Sequence, residues 1–246
     1  MKTAYFRFYE ELNDFLPAEK RKIKFEHSFV DRTTIKDMIE SLGVPHIEID
    51  LILVNGKSAN FSYLVKDKDE ISVYPVFESL DISDVQHLRP NPLREPKFVL
   101  DVHLGKLARY MRMFGFDTAY KNNFADDDLI KISLNEKRTI LTKDKEILKR
   151  NDVTHGYWVR NENSEDQLKE IIERFGLKNQ IKEFTRCIVC NTLLNPTEKE
   201  KIINQLPPKV RVWHNKFFLC PNCKKIYWKG SHYTKMKKLI ERVKSE

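Results

Sequence analysis

The chain has 246 residues, of which 44 are Lys or Arg and 36 are Asp or Glu, giving a formal net charge of +8. At 41% hydrophobic and 33% charged it carries enough apolar material for packed cores, which excludes wholesale disorder, and at roughly 100–200 residues per domain it has room for one large or two to three small domains. No run approaches the ~18 apolar residues of a membrane span, and Met1–Arg7 lacks the apolar core and cleavage site of a secretory signal, so a cytoplasmic protein with no membrane partner is expected.

Residues 1–80 read as strands around one helix. Ala4 to Tyr9 and the set Ile23, Phe25, His27 and Phe29 alternate apolar with polar residues, as half-buried strands do. Thr33 or Thr34 can cap a helix bearing Ile35, Met38, Ile39 and Leu42, which Gly43 and Pro45 stop. Ile49 to Val54 is a solid apolar run that ends in the tight-turn pair Asn55-Gly56, and Ile71, Val73 and Val76 form a last strand. This ββαββ order resembles a ubiquitin-like β-grasp domain, closest to the small sulfur-carrier proteins. Carriers of that type act through a free C-terminal Gly-Gly, whereas here the chain runs on through Pro75-Val76-Phe77-Glu78-Ser79-Leu80. A docking role toward a protein partner is the expectation that remains.

Residues 81–96, with Pro90, Pro92 and Pro96, read as a semi-rigid linker. From 97 to 180 strands alternate with helices. Strands are expected at Phe98-Val99-Leu100, Thr118-Ala119-Tyr120, Thr139-Ile140-Leu141-Thr142 and Tyr157-Trp158-Val159. The helices between them carry Leu104, Leu107, Ala108, Met111 and Phe114 (stopped by Gly115), then Leu129, Ile130, Ile132 and Leu134, then a short one after Asp144. Ser164 with Gln167 suggests a capping box for a last helix bearing Leu168, Ile171, Ile172 and Phe175. Such alternation implies crossovers and a parallel, three-layer α/β sheet.

Three acids fall at equivalent places in that topology. Asp101 ends the first strand, Asp126 begins the second helix, and Asp144 lies two residues past the third strand. All three belong at the carboxyl edge, where open α/β sheets bind ligands. Converging carboxylates suit a hard cation such as Mg²⁺ or Mn²⁺, which can activate water and neutralise a phosphodiester. Each Asp could equally be a helix cap. The case for a site rests on the coincidence of three, joined by Thr142 at Thr-x-Asp spacing.

The stretch Asp101-Val-His-Leu-Gly-Lys-Leu-Ala-Arg109-Tyr-Met-Arg112-Met-Phe-Gly-Phe-Asp117 resembles the opening motif of the Mut-seven C-terminal RNase family, which has a PIN-like nuclease fold. Asp126-Asp-Asp-Leu-Ile and Arg138-Thr-Ile-Leu-Thr142-Lys-Asp144 are similar to its next two signatures. The resemblance covers roughly residues 97–235, and it reaches the N-terminus because some members carry a ubiquitin-like domain in front. It implies a metal-dependent endoribonuclease in which Asp101, Asp126 and Asp144 hold the catalytic Mg²⁺ or Mn²⁺. Many PIN nucleases have a fourth acid; Asp127 is the nearest candidate here, with Asp128 behind it, which leaves one or two metals open. Arg109 and Arg112, three apart, share a helix face with Lys106 and match the family motif, so an RNA or structural ion-pair role is expected of the two arginines.

Cys187-x-x-Cys190 and Cys220-x-x-Cys223 make two knuckles whose four thiolates suit tetrahedral structural zinc, in preference to disulfides in a reducing compartment. All four positions are then used. Pro196, Pro207 and Pro208 mark the segment between the knuckles as an inserted loop. His214 and His232 lack ligand spacing to either knuckle. His232, within Tyr227-Trp-Lys-Gly-Ser-His-Tyr, matches the family's closing motif and is expected to be structural or RNA-facing.

Residues 181–246, a zinc ribbon with a basic tail, carry 15 basic and 5 acidic side chains interleaved with Trp213, Phe217, Phe218, Tyr227, Trp228 and Tyr233. A basic, aromatic-rich module favours RNA as its partner. The expected function is an RNA-cleaving enzyme. A non-catalytic RNA- or ribosome-binding adaptor is the rival, and a β-grasp-mediated assembly factor a weaker third.

Overall fold

The computed structural model describes residues 1–30, 32–75 and 96–245. The N-terminal elements are β1 (Lys2–Phe8), β2 (Phe25–Phe29), α1 (Ile35–Ser41), β3 (Ile49–Val54), β4 (Lys57–Ser58) and β5 (Glu70–Pro75). From Pro96 the chain forms β6 (Phe98–Leu100), α2 (Gly105–Met113), β7 (Thr118–Ala119), α3 (Asp126–Glu136), β8 (Thr139–Thr142), α4 (Lys145–Lys149), β9 (Gly156–Trp158) and α5 (Ser164–Arg174). The last part holds β10 (Asn195–Thr197), α6 (Pro208–Trp213), β11 (Phe217–Leu219), β12 (Ile226–Trp228) and α7 (Ser231–Ser245). The chain is mixed α/β, as its patterning predicts.

Contacts gather the described residues into two units. One comprises those of Met1–Glu95 with Ser133–Lys137 and Asp144–Trp158; the other comprises Pro96–Ile132, Arg138–Lys143 and those from Val159 onward. In the first, a five-stranded sheet has the order β2-β1-β5-β3-β4, with β1 parallel to β5 and the other pairs antiparallel. Phe6 and Phe8 of β1, Ile52 of β3 and Ile71 and Val73 of β5 alternate inward and pack with Ile35, Met38 and Ile39 of α1. Thr34 is the cap of α1, accepting from Asp37 N at 3.1 Å. Asn55 and Gly56 both adopt positive φ, 50° and 78°, the left-handed pair that a tight β3–β4 hairpin turn requires. This hairpin adds β4 to the expected ββαββ order. The second strand starts at Phe25, and Ile23 is half exposed before it. In the same unit the Trp158 ring packs 5.1 Å from that of Phe15, with Lys145 Nζ 3.8 Å from its centroid, and the backbone N–H of Trp158 donates to Glu48 Oε1 at 2.8 Å.

The central sheet has four parallel strands in the order β7-β6-β8-β9. β6 pairs parallel with both β7 and β8, and Phe98, Val99 and Leu100 are completely buried. Helix α2 packs against α5. Gly115 ends α2 at φ +96°, with Phe116 N donating to Met111 O and Gly115 N to Arg112 O, both at 3.0 Å. A Cβ at Gly115 would meet the Lys182 carbonyl at 2.2 Å, so the glycine is required twice over. Asn163, one residue before the expected Ser164, caps α5 by accepting from Glu165 N at 2.8 Å. The linker expected at 81–96 lies outside the described residues up to 95, as does Val76.

The segment between the knuckles is not an open loop. With β12, its strands make a three-stranded sheet, β10-β11-β12, over a small core of Ile202, Leu206 and Phe217 with Val210, Ile226 and Trp228. The basic tail is a helix, α7, that buries Leu239, Ile240 and Val243.

Candidate active site and metal centre

The order β7-β6-β8 places the strand that follows β6 in the sequence on one side of it and the next strand on the other. Crevices that bind ligands in open α/β sheets lie at such a switch point, outside the carboxyl ends of the strands. Asp101 stands there. Its N–H donates to Leu141 O at 3.1 Å, continuing the β6–β8 ladder, and its side chain is only 5% exposed. Oδ1 accepts from His103 N at 2.8 Å, and Oδ2 accepts from Lys143 N at 2.8 Å and from the fully buried Thr142 hydroxyl. These donors offset the desolvation of a buried carboxylate. They fill three of its about four acceptor positions and leave one on Oδ1. An oxygen position of that kind, on a side chain held from both ends, suits a hard cation.

The expected acids otherwise differ in setting. Asp126 is exposed and is the first residue of α3; Asp127 and Asp128 follow it in the first turn, also exposed. Asp144, in the other unit, is exposed and caps α4 by accepting from Glu146 N at 2.8 Å. Asp101 likewise caps a short 3-10 turn at Val102–Leu104. Among the described residues, the four cysteines are the only group of three or more His, Cys, Asp or Glu side chains drawn closely enough to hold an ion.

Arg109 and Lys106 are exposed on α2. Arg112 is not with them: it is 3% exposed, and its guanidinium donates to the carbonyls of Thr118 at 2.9 Å, Tyr120 at 3.4 Å, Ile188 at 3.2 Å and Val189 at 2.7 Å. Burial depresses the Arg112 pKa, although the nearby Cys187 and Cys190 work the other way. An arginine committed to four carbonyls is a clasp between α2 and the first knuckle, and the expected RNA contact at this position gives way to that role. Asp117, the last residue of the same motif, does similar work. It pairs with Arg138 at 2.6 Å and Arg186 at 3.4 Å, and accepts from Asn191 Nδ2 at 2.8 Å. Burial raises the Asp117 pKa, but the bonds from Arg138 and Asn191 and the two guanidinium charges outweigh it and hold it low. Sequence reasoning missed this cluster, because nothing local links Asp117 to a residue beside a knuckle.

The four sulfurs lie within 4.8 Å of one another, with Cys187–Cys223 at 3.5 Å and Cys190–Cys220 at 3.4 Å. These separations are far beyond a ~2.05 Å disulfide bond and suit thiolates around an ion at ~2.3 Å from each. The knuckles are built alike. Cys187 O accepts from Asn191 N at 2.9 Å and Cys220 O from Lys224 N at 3.0 Å, while Cys187 N and Cys220 N reach Thr192 O and Lys225 O. Asn191 and Lys224 both turn at positive φ, 72° and 60°. Burial pushes the Cys190 thiol up, but hydrogen bonds from Thr192 and the neighbouring sulfurs bring it down to about 6. His214 is half-buried and His232 is exposed in the first turn of α7; neither belongs to the sulfur group.

No helix among the described residues is long and apolar enough to cross a membrane. The Mut7-C ubiquitin family model matches residues 1–81, and the Mut7-C RNAse domain model matches residues 96–240. No curated protein and no solved structure matches the chain. With the RNAse domain model spanning more than half of its residues, and the ubiquitin-like model in front, the chain belongs to the Mut7-C RNAse family.

Proposed function

We propose that the protein is a ribonuclease that hydrolyses RNA phosphodiester bonds with Mg²⁺ or Mn²⁺ at the carboxyl edge of the central sheet. The observation that carries this reading is Asp101, buried at the switch point, oriented by His103 N, Thr142 and Lys143 N, and left with one open acceptor position. Asp101 is the residue that would hold the cation, with Asp126 and Asp127 as further ligands. When bound, the cation supplies an activated water and charge neutralisation on the phosphate. Mg²⁺ keeps several waters and binds through one or two carboxylates plus substrate phosphates, so the chemistry does not demand a preformed cage of three acids. Thr142 and Lys143 N hold the carboxylate in one orientation, so that no reorganisation is needed when RNA arrives. Arg109, exposed on α2, would meet the RNA backbone, and His232 is a second exposed candidate.

The four cysteines fit structural zinc. Four thiolates close a tetrahedral site and leave no position for a substrate. Through Arg112, which grips Ile188 and Val189 between Cys187 and Cys190, the zinc knuckle supports the helix that carries Arg109.

One observation favours the second reading, a non-catalytic RNA-binding adaptor: Asp101 and Asp144 each cap a helical turn. Incubating the protein with mixed RNAs in Mg²⁺, Mn²⁺ or EDTA separates the two. Cleavage that needs the cation supports the enzyme; tight RNA binding without cleavage in either metal supports the adaptor.

A further inference from the structure

On α6, three apolar residues have different fates. Val210 packs against the small core of Ile202, Leu206 and Phe217, whereas Val212 and Trp213 at the end of the helix are 72% and 78% exposed. A bare Trp is the costliest apolar side chain to leave in water, and its indole is enriched where a partner covers it. Among the described residues the Trp213 side chain has no ring or hydrogen-bond partner, although the other two tryptophans are engaged, Trp158 with Phe15 and Trp228 with the ribbon core. Its surroundings state the charge of what would cover it. From Lys201 to Ile240 the chain has ten basic residues and no acidic one. Lys209 and Lys216, either side of Trp213, are exposed, while Arg211 is turned back onto the carbonyls of Leu206 and Asn204.

We propose that Trp213 is a stacking platform for an unpaired RNA base, with Lys209 and Lys216 on the flanking phosphates, so that the C-terminal module selects single-stranded RNA. The inference rests on the RNA reading above and narrows it to a substrate class. Nucleic acid fits better than an acidic peptide because a flat indole among cations matches a polymer that alternates a π-face with a phosphate. Single-stranded RNA fits better than duplex because paired bases already have both faces stacked within the helix. Stacking is uncharged, so it adds affinity without adding to the salt dependence that the lysines provide.

The test uses the full-length zinc-loaded protein and fluorescence anisotropy with labelled oligouridylate and with its oligoadenylate duplex. W213A is expected to weaken oligouridylate binding about tenfold, with W213F retaining most of the affinity and the duplex affinity unchanged. The log–log salt slope should stay at the wild-type value in W213A and fall in K209Q/K216Q. Trp213 lies outside the small core, so unchanged zinc content and circular dichroism exclude a folding effect. W213A binding oligouridylate as the wild type does, or losing single strand and duplex equally, would overturn the proposal. So would a W213A defect confined to capture of a protein. A wild type that binds or cleaves no RNA would sink the RNA reading itself, a separate outcome from a wild type that cleaves and a W213A variant that matches it.

Discussion

Asp101 and Asp144 are both helix caps and both Asp, yet their neighbours make them respond differently to the same change. At Asp144 the side chain accepts one backbone N–H, from Glu146, and Asn caps about as well as Asp. Asp144→Asn should therefore leave thermal stability nearly unchanged. At Asp101 both oxygens accept, so one face of an Asn would turn its NH2 toward a donor, either His103 N or the Thr142 and Lys143 pair. Asp101→Asn should lower stability by about 1–3 kcal/mol, read by denaturant unfolding. The sequence predicts three acids at one sheet edge but not this asymmetry, because two of the three donors to Asp101 lie 41 and 42 positions away. Arg112 makes the same point. Its place in the helix motif was legible, whereas its partners 76 and 77 positions on were not. Arg112→Lys keeps the charge but cannot fork over four carbonyls, and a loss of about 3 kcal/mol is expected, with earlier zinc release on chelator titration.

At the scale of elements, hydrophobic period located most strands and helices to within a residue or two, because each buries one face and the period records it. The failures have physical causes. Lysines dominate helix α7 and make it read as tail, although Met236, Leu239, Ile240 and Val243 have helical spacing and the last three are buried. The inserted segment reads as a loop because its elements are three to six residues long and its core needs β12 to close. Helix α7 also carries a testable electrostatic tie, from Lys237 at 2.6 Å and Lys244 at 2.5 Å to Glu183. Burial alone would raise the Glu183 pKa, but those two ammonium groups hold it below its ordinary 4.5. A depressed carboxylate contributes stability that is present above its unfolded value and is lost as pH falls through the lower folded value. Hydrogen exchange along α7 should accelerate as pH drops below about 4.5 relative to a Glu183→Gln variant, which lacks the dependence. A parallel acid profile in the two proteins would contradict this.

For the whole molecule, the cysteines decide what a deletion can reveal. Lys182 N and Phe184 N donate to the carbonyls of Phe114 and Met113, at 2.9 Å each, and Arg112 reaches into the first knuckle. Removing 181–246 would therefore disturb the domain left behind, and surface substitutions such as K209Q/K216Q are the cleaner probe of the basic module. Elemental analysis should find about one zinc per chain, and Cys220→Ser should unfold the C-terminal module, because structural zinc binding is folding free energy. Whether Asp101 does more than cap is tested by RNA cleavage in Mg²⁺ or Mn²⁺ by the wild type and by Asp101→Asn, with RNA affinity and zinc content measured on the same preparations at a temperature where both are folded. Asp101→Asn is expected to bind RNA and zinc as the wild type does and to cleave nothing. Cleavage at the wild-type rate would leave Asp101 a cap and contradict the ribonuclease reading.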